Sequence, residues 1–161
     1  LAGNSRPLED LIIEQTESLM GKTPGPKKDL KGIRLAADQV KKLNPKDART
    51  RGVILGAPMS YWFDLKQYDP VKLARDFEGR ILILQGGRDY QVTVKDFAGW
   101  TNGLAGRRNL SAKLFPDLNH LMMAGQGKSK PSEYQKPGHV DARVIELVAK
   151  WATENPTPTI D

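Results

Sequence analysis

The amino-acid sequence predicts an α/β fold, because it contains two short apolar runs of the kind found in buried strands, with helical periodicity around them. The first run, 81–84, is unbroken, partly β-branched and followed by Gly86-Gly87. Continuous apolar runs of this length that end at glycine are typical of parallel strands covered on both faces. The second run, 112–115, has the same character. We therefore expect an incomplete parallel sheet accompanied by helices.

The chain up to residue 78 is expected to be mainly helical. Asn4 or Ser5 can cap a first helix, and Pro7 suits its first turn. Apolar residues then recur at spacings of three and four, and breaker-rich segments such as 23–28 separate the helices. A short apolar run at 53–55 interrupts them. The predicted helices cover about 5–21, 30–43, 61–65 and 70–77.

From residue 79 onwards the pattern alternates between strands and helices. The first apolar run precedes a helix over about 95–104, and the second precedes a loop and a final helix over about 140–153. The segment 125–138 is rich in Gly, Lys, Ser and Pro and is expected to be an exposed loop. The predicted organisation is a helical segment 1–78, a sheet lobe 79–154 and a tail 155–161 without packing signal.

Composition excludes several classes of protein. A chain of 161 residues is long enough for one domain with a real core. It has no cysteine, which excludes disulfides, thiolate catalysis and cysteine-ligated metals. Two histidines without paired carboxylates at ligand spacing indicate no zinc site, and no cofactor is implied. No apolar run approaches the roughly 18 residues of a membrane helix. Localisation stays open, and because the first residue is Leu, we expect the natural chain to begin upstream.

Positive charge is concentrated in one stretch. The formal net charge is +6, and the stretch from Lys22 to Arg51 holds ten basic residues against three acidic ones. A solvated helical face is the interpretation we favour. Attraction of anionic substrates or nucleic acid is the alternative. The stretch has no aromatic residue for base stacking, so a nucleic-acid partner is not expected. A membrane partner is not expected either, since the sequence has no apolar run of membrane-helix length.

An acid and a histidine stand at matching places after the two predicted strands. Asp89 follows the first strand, and His120 follows the second. Ligands of parallel sheets bind beyond the carboxyl ends of the strands, where both residues would lie. In serine acyl transfer a carboxylate orients a histidine. In one large fold class that uses this chemistry, the acid precedes the histidine along the chain.

The sequence resembles the C-terminal part of an α/β-hydrolase, in particular the dienelactone-hydrolase-like and serine-peptidase-like esterases. The resemblance rests on the Gly-x-x-Asp turn at 86–89, on Asn119-His120 after the last strand, and on the closing helix. It implies that Asp89 is the orienting acid and His120 the general base. It also implies that 1–78 is a cap inserted between two strands, and that the parent protein acts on a small-molecule ester or a peptide.

Other residues compete for these roles or accompany them. His139 lies just before the last helix, and Asp117 lies three residues before His120, where its side chain can shape the turn. Caps shape substrate pockets, so Tyr61 and Trp62 of the predicted cap are candidate pocket residues. Tyr90, which follows Asp89, is the third candidate. For the aromatic patch at 61–63, ordinary packing against the sheet is the alternative.

The serine nucleophile of the resembled fold is not found in this sequence. The nucleophile elbow needs Gly-x-Ser-x-Gly, and Ser5 comes closest, but Pro7 replaces the second glycine. We therefore expect this chain to be nearly inactive alone and to need the N-terminal part of the same protein as its partner. Because its strands would have open edges, we also expect self-association.

Two further hypotheses come from other functional classes. A non-catalytic binding module that keeps the hydrolase shape would also lack the nucleophile. A basic nucleic-acid-binding domain is favoured only by the charged stretch at 22–51. The presence or absence of Gly-x-Ser-x-Gly upstream in the natural reading frame separates the first of these from the hydrolase.

Overall fold

The computed structural model describes residues 3–20 and 29–153. The predicted loop at 23–28, the end of the first helix near Gly21 and the tail at 155–161 lie outside the described residues. The chain divides into two compact units. One, called the helical unit, is Arg6–Pro70, and the other, called the sheet unit, contains residues 3–5 and 71–153 of the described chain.

The described residues contain six α-helices and four strands. The helices, with their bounds, are α1 Leu8–Leu19, α2 Leu30–Lys42, α3 Met59–Leu65, α4 Pro70–Asp76, α5 Val94–Gly103 and α6 Ala142–Thr153. The strands are β1 Val53–Ile54, β2 Ala57–Pro58, β3 Ile81–Gly86 and β4 Leu110–Phe115. Helix and strand are thus mixed in a way that is compatible with the predicted α/β class.

The helical unit is built on a small apolar core. Asp29 begins α2 by accepting a hydrogen bond from the backbone N–H of Gly32, at 2.9 Å. Val40 and Leu43 then pack with Trp62 of α3 in the interior. The indole N–H of Trp62 donates to the carbonyl of Ile54 at 2.6 Å, so the one polar atom of this large ring is satisfied.

The sheet unit is organised around a parallel pair of strands. Ile81 lies opposite Leu110, and the register runs without a bulge to Gly86 opposite Phe115. Because side chains of a strand alternate between its faces, the apolar run fills two cores. One contains Leu84, Phe115, Leu118, Met122 and Val144, and the other contains Ile83, Leu104, Leu110 and Ala112. Each strand is two residues longer than predicted.

The boundary between the units differs from the predicted one. The sequence pattern assigns α4 to the helical segment 1–78, whereas the compact units divide between Pro70 and Val71. The physical reason is that Val71 and Ala74 pack against the Ile83 core. Arg107 also donates to the carbonyl of Ala74 at 2.5 Å, which holds α4 in the sheet unit.

The segment 125–138 is more ordered than its composition predicts. Many of its residues are exposed, as expected, but it contains a 3₁₀ turn at Pro131–Gln135, and Ser129 is only 2% exposed. The guanidinium of Arg88 donates to the carbonyl of Gly127 at 2.7 Å and to that of Gln126 at 3.1 Å. The segment therefore folds over a side chain that comes from the end of β3.

Candidate active site

The two loops beyond β3 and β4 approach each other closely, and two glycines make this possible. The backbone pairing continues past the strands, since Gly87 N–H donates to the carbonyl of Phe115 at 2.7 Å. A Cβ atom on Gly86 would lie 2.5 Å from the carbonyl oxygen of Leu118, and one on Gly87 would lie 2.7 Å from Cα of Pro116. The Gly-Gly pair is therefore needed for backbone approach rather than only to end the strand.

Asp89 follows this crossing, and its carboxylate is held from several sides. Its side chain is fully buried. Oδ1 accepts hydrogen bonds from the backbone N–H groups of Gln91 at 2.8 Å and Val92 at 3.0 Å. These bonds fold the chain after β3 into a turn around the carboxylate. Oδ2 is left to face the loop after β4.

Gln85 supports this turn and was missed by sequence reasoning. Its side chain is 1% exposed, and its amide nitrogen donates to the carbonyls of Val92 at 2.8 Å and Gly86 at 3.0 Å. The same nitrogen lies 3.5 Å from Oδ2 of Asp89. The available signal was a single polar residue inside an otherwise apolar buried strand, which calls for a specific hydrogen-bond partner.

Asn119 shapes the loop that carries the histidine. Its side-chain oxygen accepts hydrogen bonds from the backbone N–H groups of Leu121 at 2.9 Å and Met123 at 3.1 Å. Met122 within this turn has a φ of 57°, a conformation that L-residues rarely adopt. The turn presents His120 on its outside, while Leu118 and Met122 are buried in the core.

The structure brings Asp89 and His120 together. Nδ1 of His120 lies 2.7 Å from Oδ2 of Asp89, so the protonated nitrogen assigned by this contact is Nδ1. The hydrogen bond to Asp89 raises the pKa of His120 above its ordinary value, against the lowering effect of partial burial. Among the described residues Nε2 has no hydrogen-bond partner, and the side chain is 30% exposed. Such an imidazole can accept a proton at Nε2 while Asp89 stabilises the resulting cation.

The competing residues lie elsewhere in the sheet unit. His139 is exposed. Asp117 accepts a hydrogen bond from Arg143 at 2.6 Å, and this partner lowers the pKa of Asp117. The backbone N–H of Ser5 donates to Oδ1 of the buried Asp96 at 3.1 Å, and the Ser5 hydroxyl lies 3.5 Å from the same atom. Ser5 therefore contacts α5 rather than the histidine.

The three candidate pocket residues differ in exposure. Tyr90 is 8% exposed, and its ring stacks on that of Tyr134 with centroids 6.0 Å apart. Trp62 is part of the helical unit's core, whereas Tyr61, its edge-on neighbour, is 46% exposed. Packing explains the positions of Tyr90 and Trp62, and a substrate-contacting role for any of the three stays a prediction.

Part of the basic stretch from Lys22 to Arg51 lies within the described residues. Arg34 pairs with Glu17, and Lys41 lies 2.6 Å from Asp10, so two of the basic residues pair with acids of α1. Lys22, Lys27 and Lys28 lie outside the described residues.

Within 3–20 and 29–153, no three acidic or histidine side chains are grouped to hold a metal. No helix in these ranges has the length and apolar composition needed to cross a membrane.

Comparison with known proteins finds similarity to an esterase. The chain is 40% identical over 151 residues to esterase EstD of Thermotoga maritima. The aligned region covers 94% of this chain but 35% of that protein, so the chain spans about a third of the relative's length. No protein-family model matches the chain, and no solved structure matches it significantly. The chain is thus similar to one part of an esterase.

Proposed function

We propose that the chain is part of a serine hydrolase of the α/β-hydrolase class, acting on carboxylic esters or peptides. In this proposal it supplies two groups of the catalytic triad, Asp89 as orienting acid and His120 as general base. The helical unit is proposed as the cap segment of the same fold. The identity with an esterase favours carboxylic esters as the substrate class.

The observation that carries the proposal is the hydrogen bond between Asp89 and His120. A buried carboxylate bound to Nδ1 leaves Nε2 as the proton acceptor, which is the arrangement serine acyl transfer requires. The acid and the histidine are delivered by the ends of adjacent parallel strands, where ligands of such sheets bind. The chain order, acid before histidine, is also that of α/β-hydrolases.

The nucleophile and the oxyanion hole are proposed to come from sequence that precedes this chain in a longer protein. The sequence has no Gly-x-Ser-x-Gly, and the aligned esterase is almost three times as long as the matched region. In the reaction His120 would remove the serine proton during attack on the acyl carbonyl, and would return it to the leaving group.

Active-site labelling tests the proposal directly. The 161-residue chain and the product of the complete natural reading frame are each treated with a fluorophosphonate, which labels activated serines, and are followed by intact mass. We expect labelling of the complete product only, abolished by His120→Gln and retained in the matched control His139→Gln. Labelling of the 161-residue chain that is lost in Ser5→Ala would contradict the assignment of the nucleophile. If neither protein is labelled, the binding-module hypothesis replaces the hydrolase.

The sheet unit has apolar surface that a partner segment would cover. Among the described residues, β3 pairs with β4 along one edge only. A cleft of about 410 Å³ in the same unit is lined by apolar side chains, among them Phe77, Ile81, Ile83 and Trp100. We propose the N-terminal part of the same protein as its occupant. In its absence we expect copies of the chain to self-associate, and a concentration-independent monomer mass by light scattering would contradict this.

A further inference from the structure

The 3₁₀ turn at Pro131–Gln135 contacts the residues on both sides of Asp89. Glu133 accepts a hydrogen bond from the guanidinium of Arg88 at 2.8 Å, and Tyr134 stacks on Tyr90. Arg88 is buried, with a side chain 7% exposed, so this ion pair is shielded from solvent on one side. The turn therefore packs against the chain segment that contains Asp89.

Glu133 also reaches the histidine loop. Its second oxygen, Oε2, accepts a hydrogen bond from the side-chain nitrogen of Asn119 at 3.3 Å. Asn119 precedes His120 and orders its turn through two backbone hydrogen bonds. One carboxylate thus joins the neighbour of Asp89 to the neighbour of His120.

From this connection we propose that Glu133 is a positioning residue, which acts through Arg88 and Asn119 to hold the Asp89 and His120 turns in register. The inference rests on the proposed function, because it gives Glu133 a role in the same acid–histidine pair. Ser129 Oγ and the backbone N–H of Lys130, each 3.3 Å away, complete a set of four donors around the two carboxylate oxygens. The role requires a charged acceptor, since an amide would turn an NH₂ group towards donors.

The protonation state of Glu133 agrees with this role. Burial by itself would raise the pKa of Glu133, but the hydrogen bonds from Asn119 and Arg88 outweigh burial and hold it below the ordinary value. Glu133 is therefore ionised throughout the pH range in which His120 titrates. The acid–histidine contact can consequently be titrated without loss of the Glu133 contacts.

Histidine NMR on the 161-residue chain provides the test, because the chain has only His120 and His139. Long-range ¹H–¹⁵N spectra give the tautomer and pKa of each ring, and the exposed His139 serves as internal reference. We expect Glu133→Gln to lower the pKa of His120 in the direction of the Asp89→Asn value and to reduce the population of the Nδ1–H tautomer. The matched control Glu146→Gln, which removes a charge from an exposed position on α6, should change neither quantity.

A second variant separates positioning from a direct effect of charge. Removing the Glu133 charge and removing the Arg88 charge would shift the pKa of His120 in opposite directions if only charge mattered. A positioning role predicts that Arg88→Gln lowers the pKa of His120, as Glu133→Gln does. If Arg88→Gln does not fold, Arg88→Lys takes its place. It keeps the charge but loses the guanidinium geometry that reaches several acceptors, so it should also lower the pKa of His120.

Three outcomes would overturn the inference. They are an unchanged pKa and tautomer of His120 in Glu133→Gln, opposite shifts in the two charge variants, and a fall in melting temperature as the only effect. Asp89→Asn tests the contact between Asp89 and His120 separately. This variant must lower the pKa of His120, because its shift is the reference with which the Glu133→Gln shift is compared. Failure of the serine labelling with a normal Glu133 result would overturn the proposed function alone.

Discussion

The two units of the chain are stabilised by different kinds of interaction. The helical unit has an apolar core around Trp62, and its charged side chains pair at the surface, as Lys41 does with Asp10. The sheet unit has two apolar cores, but it also buries a connected set of polar side chains at the ends of its strands. These are Gln85, Arg88, Asp89 and Asn119, with Ser129 in the loop that follows.

This difference agrees with the proposed location of the active site in the sheet unit. Buried polar groups cost free energy unless each finds a partner, so they are retained where their geometry is needed. In the sheet unit nearly every such group is directed at the turns of Asp89 and His120. The helical unit also buries Glu9 and Thr16. Its buried polar contacts are local: the hydroxyl of Thr16 donates to the carbonyl of Ile12 one turn earlier in α1, and the indole N–H of Trp62 donates to the carbonyl of Ile54.

The largest expected effect is on activity in the sheet unit. In the complete product that carries the proposed serine, Asp89→Asn should reduce kcat for an aryl ester by about 10⁴-fold, because the histidine loses its orienting carboxylate. That loss corresponds to about 5 kcal/mol of activation free energy. Asp117→Asn is the matched control, since the carboxylate of Asp117 pairs with Arg143, whereas Nδ1 of His120 is bound by Asp89. Comparable losses in both variants would contradict the assignment of the acid.

A core substitution should produce the largest stability loss in the helical unit. Trp62 is 2% exposed, so Trp62→Ala should lower the free energy of unfolding by about 3–5 kcal/mol. Tyr61→Ala, at an adjacent and 46% exposed position, should cost less than about 1 kcal/mol. Chemical denaturation followed by circular dichroism measures both. Equal losses would mean that the aromatic patch does not divide into a core and a surface residue.

The same contrast explains what could be predicted from sequence. The strands were predictable because burial on both faces leaves a local signal, an unbroken apolar run. The candidate pair was predictable because each member directly follows a strand. Glu133 was not, because its partner Arg88 is 45 positions away and its own segment has the composition of an exposed loop. The place of α4 in the sheet unit was not predictable either, because its contacts with the Ile83 core are not encoded within the helix.

Glycine substitutions should reveal how tightly the two turns of the sheet unit are packed. A Cβ at Gly86 would meet backbone carbonyl oxygens of Leu118 and Asn119 at 2.5 and 2.6 Å, which can move only if the histidine loop moves. Gly86→Ala should therefore cost about 1–3 kcal/mol and perturb the His120 resonances. In Gly52→Ala the new methyl group meets only the side chain of Met59, which can adopt another rotamer. If both variants lowered the denaturation midpoint by similar amounts, this would argue against a rigid crossing of the loops.

The smallest expected effect is the pH dependence of stability near neutral pH, and there it should arise from the sheet unit. The pKa of His120 is raised by its hydrogen bond to Asp89, so the folded state binds the proton more tightly than the unfolded state. This stabilisation is complete below the unfolded value of about 6.5 and is lost as pH rises through the higher folded pKa. The free energy of unfolding should therefore fall slightly as the pH rises from about 6.5 through the raised pKa of folded His120, and Asp89→Asn should remove that slope. Lys41 also has a raised pKa, chiefly through its hydrogen bond to Asp10, but its contribution is lost only above its ordinary value of 10.5. Asp10→Asn should consequently leave the slope intact. A slope that survives Asp89→Asn would show that the pair between Asp89 and His120 does not form in solution.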